Sequence, residues 1–302
     1  MVPGPMHLDL WIALAGLVVG FVVGLTGMGG GALMTPVLVL LFHVQPLAAV
    51  SSDLVAAVVM KPIGAGVHLR RGTVHLSLVK WLVLGSVPTA FCGALIIDHL
   101  GDATVVQDRV KLALGYALLV AAGSMVLKAF VGRNRVVVDG DAAPVVRPLA
   151  TLLVGLAGGL IVGLTSVGSG SLMIVMLLFL YPSLRASQLV GTDLVQAIPL
   201  VGAAALGHLL FGDFHLGLTT SLLIGSLPGV YLGARVSARS PDAVIRPVLV
   251  VVLVASAMKL LGASTAAVGV FLGLAAVVAT ATVVYWMRTR ARPRTSELSP
   301  TG

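Results

Sequence analysis

Long apolar stretches separated by short polar or glycine-rich turns dominate the chain. They fall at 8–25, 31–43, 48–69, 75–97 and 110–130, then at 148–165, 170–181, 188–210, 215–235 and 244–262, with one more at 265–287. An α-helix of about 20 apolar residues, rising 1.5 Å per residue, crosses the ~30 Å hydrocarbon core of a bilayer. Most segments have that length. Segments 31–43 and 170–181 reach only about 20 Å, and each follows a glycine-rich break. They read as half-helices returning from a hairpin. The pattern predicts an all-α integral membrane protein.

The segments repeat. Gly24-Leu25-Thr26-Gly27-Met28-Gly29-Gly30-Gly31-Ala32-Leu33-Met34 aligns with the stretch from Gly163 to Met173, with seven of eleven positions identical. Asp53-Leu54-Val55 then matches Asp193-Leu194-Val195, His68 matches His208, His75 matches His215, and Gly85-Ser86-x-Pro88 matches Gly225-Ser226-x-Pro228. Apolar composition alone produces matched Leu and Val, but not Asp, His, Pro and Gly held in register. Ala13-Leu14-Ala15 resembles a signal-peptidase site, yet no basic residue precedes its apolar run. The repeat gives that run a counterpart before Gly163, so it is expected to be structure.

Five segments per half is an odd number, so the second half enters the membrane from the opposite side. Charge tests this independently. With the N-terminus outside, the inward loops and tail hold 14 Lys and Arg and the outward loops hold 3, Arg109, Lys111 and Lys259. Cytoplasmic loops carry such an excess. The expected organisation is repeat 1 at 8–130, a cytoplasmic linker at 131–147, repeat 2 at 148–262, an extra C-terminal transmembrane helix at 265–287 and a basic cytoplasmic tail at 288–302. The expected location is the bacterial inner (plasma) membrane, N-terminus outside and C-terminus cytoplasmic.

Composition narrows the class. Of 302 residues, 58% are hydrophobic and 10% charged, with a mean hydropathy of +1.08. That leaves too little polar surface for a soluble enzyme. The net charge of +8 is accounted for by topology, with no nucleic-acid partner called for. One cysteine, Cys92, excludes an internal disulfide and a cysteine-based metal cluster.

Candidate chemistry sits at the breaks. Irregular backbone at membrane depth survives only inside protein or against a water-filled cavity. Gly27, Gly29, Gly30 and Gly31 permit a tight turn, and the helix that follows starts with unpaired N–H groups and a positive dipole end. Gly168, Ser169, Gly170 and Ser171 repeat this from the other side. Two such ends make an anion site built from donors without a buried charge. Thr26, Thr165, Ser166, Ser169 and Ser171 add hydroxyls. The same glycines also suit plain helix packing.

Asp53 and Asp193 are paired acids within apolar segments, which marks them for proton relay or ion binding. Near a helix start an Asp also caps free N–H groups, so coupling and capping both stand. Lys61 has Val201 opposite it in the repeat, and either attracts an anion, finds another acid or snorkels. His68, His75, His208 and His215 read as hydrogen-bonding residues at helix ends. His208, Asp213 and His215 form a loose transition-metal pattern that the first half does not repeat. No Walker motif, Ser-His-Asp order or HExxH is present, so no cofactor, nucleotide or enzymatic role is expected.

At Gly24-Leu25-Thr26-Gly27-Met28-Gly29-Gly30-Gly31, echoed from Gly163 to Gly170, the chain resembles the sulfite exporter TauE/SafE family, also called TSUP. The later Asp-Leu-Val and Gly-Ser-x-Pro blocks extend the resemblance over about 10–285. Ser166 and Ser169 stand where the first break has glycines. The resemblance implies a multi-pass transporter of small sulfur-containing anions such as sulfite, sulfoacetate or other organosulfonates. The expected function is therefore secondary transport of such an oxyanion by alternating access, coupled to an ion gradient. Its partners are the small oxyanion and the lipid bilayer. The alternatives are a transition-metal carrier using the histidines and a membrane-embedded enzyme acting on a lipid phosphate.

Overall fold

A computed structural model describes residues 8–26, 30–99, 102–133, 145–237 and 242–290. The described residues form eleven helices and no strand: α1 (Leu10–Thr26), α2 (Gly31–Leu41), α3 (Pro46–Arg70), α4 (Leu76–Asp98), α5 (Ala103–Arg133), α6 (Pro148–Thr165), α7 (Leu172–Leu180), α8 (Ala186–Phe211), α9 (Leu216–Ser237), α10 (Asp242–Leu260) and α11 (Thr265–Arg290). Six of them, α3, α4, α5, α6, α8 and α9, are long and apolar enough to cross a membrane. The protein is an all-α integral membrane protein. The short helices expected after each break are α2, with 11 residues, and α7, with 9.

Two boundaries differ from the sequence reading. α5 begins at Ala103, well ahead of the expected 110, although Asp108, Arg109 and Lys111 lie in its first turns. The Gln107 side chain explains the early start. Its carbonyl accepts the Leu47 backbone N–H at 3.0 Å and its amide reaches Gln45 at 3.1 Å, tying this turn to the start of α3. α7 starts at Leu172 because Ser166, Gly168 and Gly170 all have positive φ, which holds the preceding stretch out of helix.

Matching α1–α5 with α6–α10 organises the packing. α1 lies along α9, and its counterpart α6 lies along α4. α3 packs on α8, and α5 on α10. Ser51 of α3 meets His208 of α8 while Gly64 meets Leu194, so these two counterparts run antiparallel.

Glycine makes both lengthwise contacts possible. A Cβ on Gly16, Gly20 or Gly24 of α1 would lie 2.9, 2.6 or 2.3 Å from a backbone oxygen of α9, at Leu222, Ser226 and Val230. Gly155, Gly159 and Gly163 of α6 meet Leu82, Ser86 and Ala90 of α4 in the same way, at 2.5, 2.4 and 2.3 Å. In lipid, helices associate through close packing rather than through apolar burial, and a small residue every fourth position lets backbones touch.

The counterparts are not packed equally. α8 closes tightly on α4, with Gly207 against Ala94, Phe91 edge-on to Phe211 at 6.1 Å and Ser86 Oγ donating to Gln196 Oε1 at 3.4 Å. The matching contact of α3 with α9 is looser. Val67 and Ala234 are exposed, whereas their counterparts Gly207 and Ala94 are buried.

Candidate functional site

The start of α2 meets the break that follows α6. A Cβ on Gly31, the first residue of α2, would fall 1.9 Å from the Ser166 carbonyl oxygen, so the start of α2 presses on the end of α6. Ser166 closes α6 in the left-handed conformation, at φ 60°. Gly30, Gly31, Thr165, Ser166, Gly168, Ser169, Gly170 and Ser171 are thereby brought together with Asp53, Lys61 and Asp193. Gly27 and Gly29 lie outside the described residues.

Asp53 and Asp193 each stand two turns into their helices, at the eighth residue of α3 and of α8. Neither caps its own helix. Each instead reaches the start of a short helix. Asp53 Oδ2 accepts the Ser166 hydroxyl at 2.6 Å and the Thr35 hydroxyl of α2 at 3.3 Å. Its Oδ1 has no hydrogen-bond partner, and a Cβ on Gly30 would lie 3.6 Å from it. Asp193 Oδ1 accepts Gln196 Nε2 at 2.9 Å, and the carboxylate takes a hydrogen bond from the Gly170 backbone just ahead of α7. The two acids are 0% and 1% exposed.

Lys61, 6% exposed, lies between them. Its Nζ donates to Ser169 Oγ at 2.6 Å and it feels the charge of both Asp193 and Asp53. The seat at the half-helix starts is therefore not the charge-free cradle that the sequence suggested. A buried ammonium and two carboxyls share it.

The hydroxyl protons of Thr26 and Thr165 turn back to Val22 and Ile161 of their own helices, at 2.9 and 2.6 Å, so these threonines present only lone pairs outward. Ser171 Oγ is buried with no hydrogen-bond partner. Thr35, Ser86 and Gln196 joined the site without having been singled out. Only Gln196, three residues after Asp193, carried a local signal, since i and i+3 share a helix face.

From this seat a cavity of about 120 Å³ runs between α1, α3, α8 and α9. Gly30 and Lys61 line its head, and Met60, Ile63, Val67 and Ala234 carry it toward the ends of α3 and α9 that bear Arg70 and Arg235. The counterparts of its lining in the other half are mostly buried: Val162, Leu200, Val201, Ala204 and Ala94 are each at most 1% exposed.

The histidines do not assemble a metal site among the described residues. His208 is fully buried, with Nδ1 at 2.9 Å from Ser51 Oγ and Nε2 at 2.7 Å from the Gly163 carbonyl. His215 instead pairs with Asp213 at 3.1 Å on the surface. His68 Nδ1 bonds Thr73 Oγ1 at 2.8 Å. At the start of α4, the His75 backbone N–H donates to Thr192 Oγ1 at 3.1 Å, and burial holds its imidazole below the usual histidine range.

The model of the sulfite exporter TauE/SafE family matches residues 12–260, which takes in all but the first two residues of α1, the whole of α2 through α10 and every residue of the site. The chain belongs to the sulfite exporter TauE/SafE family. Two relatives from Bacillus subtilis (strain 168) are similar to the chain along nearly their whole lengths. The probable membrane transporter protein YjnA is 39% identical over 253 residues, covering 83% of this chain and 98% of YjnA. The probable membrane transporter protein YdhB is 24% identical over 238 residues, covering 78% and 93%. No solved structure matches the chain. As a TauE/SafE member, the protein is a multi-pass membrane transporter.

Proposed function

We propose that the protein is a secondary transporter of small sulfur-containing anions, namely sulfite, sulfoacetate or other organosulfonates. It works by alternating access in the plasma membrane, driven by an ion gradient. The observation that carries this reading is the meeting of Gly30, Lys61 and Ser169, contributed by both halves, at the head of a cavity beside two half-helix starts. Such ends favour anions by up to about 2 kcal/mol when partly buried. Lys61 adds a counter-charge, and Ser169 and Ser171 add hydroxyl donors. Thr165 and Ser166 frame the seat, and Thr26, with Gly27 and Gly29 from outside the described residues, belongs to the same proposed substrate-binding set.

Alternating access follows from the unequal packing of the counterparts. The α3–α9 side is loose and the α4–α8 side closed, and exchanging these two arrangements opens the seat to the other face. With the N-terminus outside, the open side here is cytoplasmic. The halves correspond to repeats at 8–130 and 148–262, joined by a cytoplasmic linker and followed by α11 and a basic tail.

The test is flux of labelled sulfite, sulfoacetate and a simple sulfonate in proteoliposomes under imposed gradients. Gradient-dependent accumulation of at least one of them is expected. Absence of flux for all three, from protein that stays monodisperse, would sink the substrate assignment. A reporter fused after Arg294 should behave as cytoplasmic and a tag near Asp213 as external; the reverse would refute the orientation.

A further inference from the structure

We propose that Asp53 is an internal competitor for the substrate's seat at the start of α2, and that the substrate anion enters that seat only when Asp53 carries a proton. The inference rests on the anion-transport reading above. It supplies what that reading lacks, namely which group makes transport depend on protons and how.

The start of α2 attracts negative charge through its dipole and leading N–H groups. A protein carboxyl already stands there. Asp53 Oδ2 is held by Thr35, within the first turns of α2, and by Ser166, while Oδ1 is fully buried, unpartnered and directed at Gly30. Gly30 and Lys61 line the head of the cavity. An anion arriving there meets the bare Oδ1 at close range. Two like charges about 4 Å apart at an effective dielectric near 20 repel enough to lower affinity about a thousandfold. A proton on Asp53 removes that repulsion, and a carboxylic acid offers an O–H donor in place of a bare acceptor. The balance is one proton taken up by a carboxylate oxygen as the anion is seated, and one released when it leaves.

Asp193 is placed differently. Its carboxylate is engaged by Gln196 and the Gly170 backbone, and it faces both Lys61 and Lys128. It serves as the fixed counter-ion of Lys61. The charged groups around Asp53 are Lys61 on its own helix and, beyond Lys61, Asp193 on α8. α2 and the α6–α7 break contribute only the hydroxyls of Thr35 and Ser166. When Lys61 is left facing one ionised acid instead of two, it is free to exchange Ser169 for the substrate.

The test uses methanesulfonate, a strong acid that stays ionised over the working pH range, so any pH dependence belongs to the protein. Binding to the purified full-length protein is measured against pH, and proton uptake is followed in weakly buffered solution. Wild-type affinity should fall tenfold per pH unit above the titration of Asp53, with one proton taken up per anion bound. Asp53→Asn should bind with no slope and no proton uptake, and should exchange anion across a membrane without accumulating it. Asp193→Asn should bind more weakly at every pH yet keep the slope. Because Asp53→Asn could misfold, the wild-type slope and proton count stand as an independent arm. pH-independent wild-type binding, or a slope lost in Asp193→Asn and kept in Asp53→Asn, would overturn the proposal. No binding at any pH, from protein whose thermal unfolding is normal, would overturn the anion reading and this inference with it.

Discussion

Lys61 is the residue on which the site's charge balance turns. It is buried, its ammonium donates to the Ser169 hydroxyl, and it sits between two acids. Removing one partner from a buried charge group is strongly destabilising, by about 3–5 kcal/mol, because the remaining charges lose their compensation. Lys61→Met should therefore lower thermal stability in detergent by that order and abolish transport. Adding Asp193→Asn to Lys61→Met should restore part of the stability without restoring transport, since neighbours in one network are not additive. Equal stability of Lys61→Met and wild type would remove Lys61 from the centre of the site. Both acids and Lys61 were visible in the sequence because charge within an apolar segment is conspicuous. Their partners were not. Thr35 and Ser86 look like ordinary small polar residues of apolar helices, and what makes them site residues is contact with Asp53 and Gln196 from other helices. The capping reading failed for a related reason. Asp53 stands near the start of its apolar segment in the sequence, but Pro46 begins α3 about two turns before it, with Pro well suited to the first helical position.

Elements were more legible than sites. The apolar period and the glycine breaks located the eleven helices of the described residues, because a bilayer demands a fixed run of apolar residues and tolerates interruption only inside protein or against a water-filled cavity. What periodicity could not separate was glycine that turns from glycine that packs. Gly168 and Gly170 have positive φ and make the break. Gly16, Gly20, Gly24, Gly155, Gly159 and Gly163 are helical and make the lengthwise contacts. The two kinds respond differently to substitution. Gly20→Ile places a branched side chain where even a Cβ would lie 2.6 Å from the Ser226 oxygen. It should destabilise by about 1–3 kcal/mol or more as α1 and α9 are forced apart. Gly202→Ala on α8 meets nothing within 4 Å and should stabilise by up to about 1 kcal/mol through helix propensity alone. Thermal unfolding of the two variants side by side checks both signs; a tolerated Gly20→Ile would mean that the backbones are not in contact.

At the scale of the molecule, the loose α3–α9 side and the closed α4–α8 side predict a pattern of chemical access. In a Cys92→Ser background, Val67→Cys and Ala234→Cys should react with a small water-soluble thiol reagent, while Gly207→Cys and Ala94→Cys should be protected. Conditions that favour the opposite state should reverse this order, and a fixed order under every gradient and ligand would refute exchange of the two sides. The glycine contacts constrain how the chain itself can be assembled. Each half lays its lengthwise glycine face on a helix of the other half: α1 needs α9, and α6 needs α4. A half made alone therefore presents two long surfaces shaped for a partner that enters the bilayer the other way up. Severing the covalent link should then matter little. Residues 1–138 and 139–302, synthesised as separate polypeptides in one cell, should find each other in the membrane, so that an affinity tag on one retrieves the other and anion flux returns. Each fragment alone should be degraded, or should pair with inverted copies of itself, as a descendant still able to act out the two-chain form from which such a fold can be built.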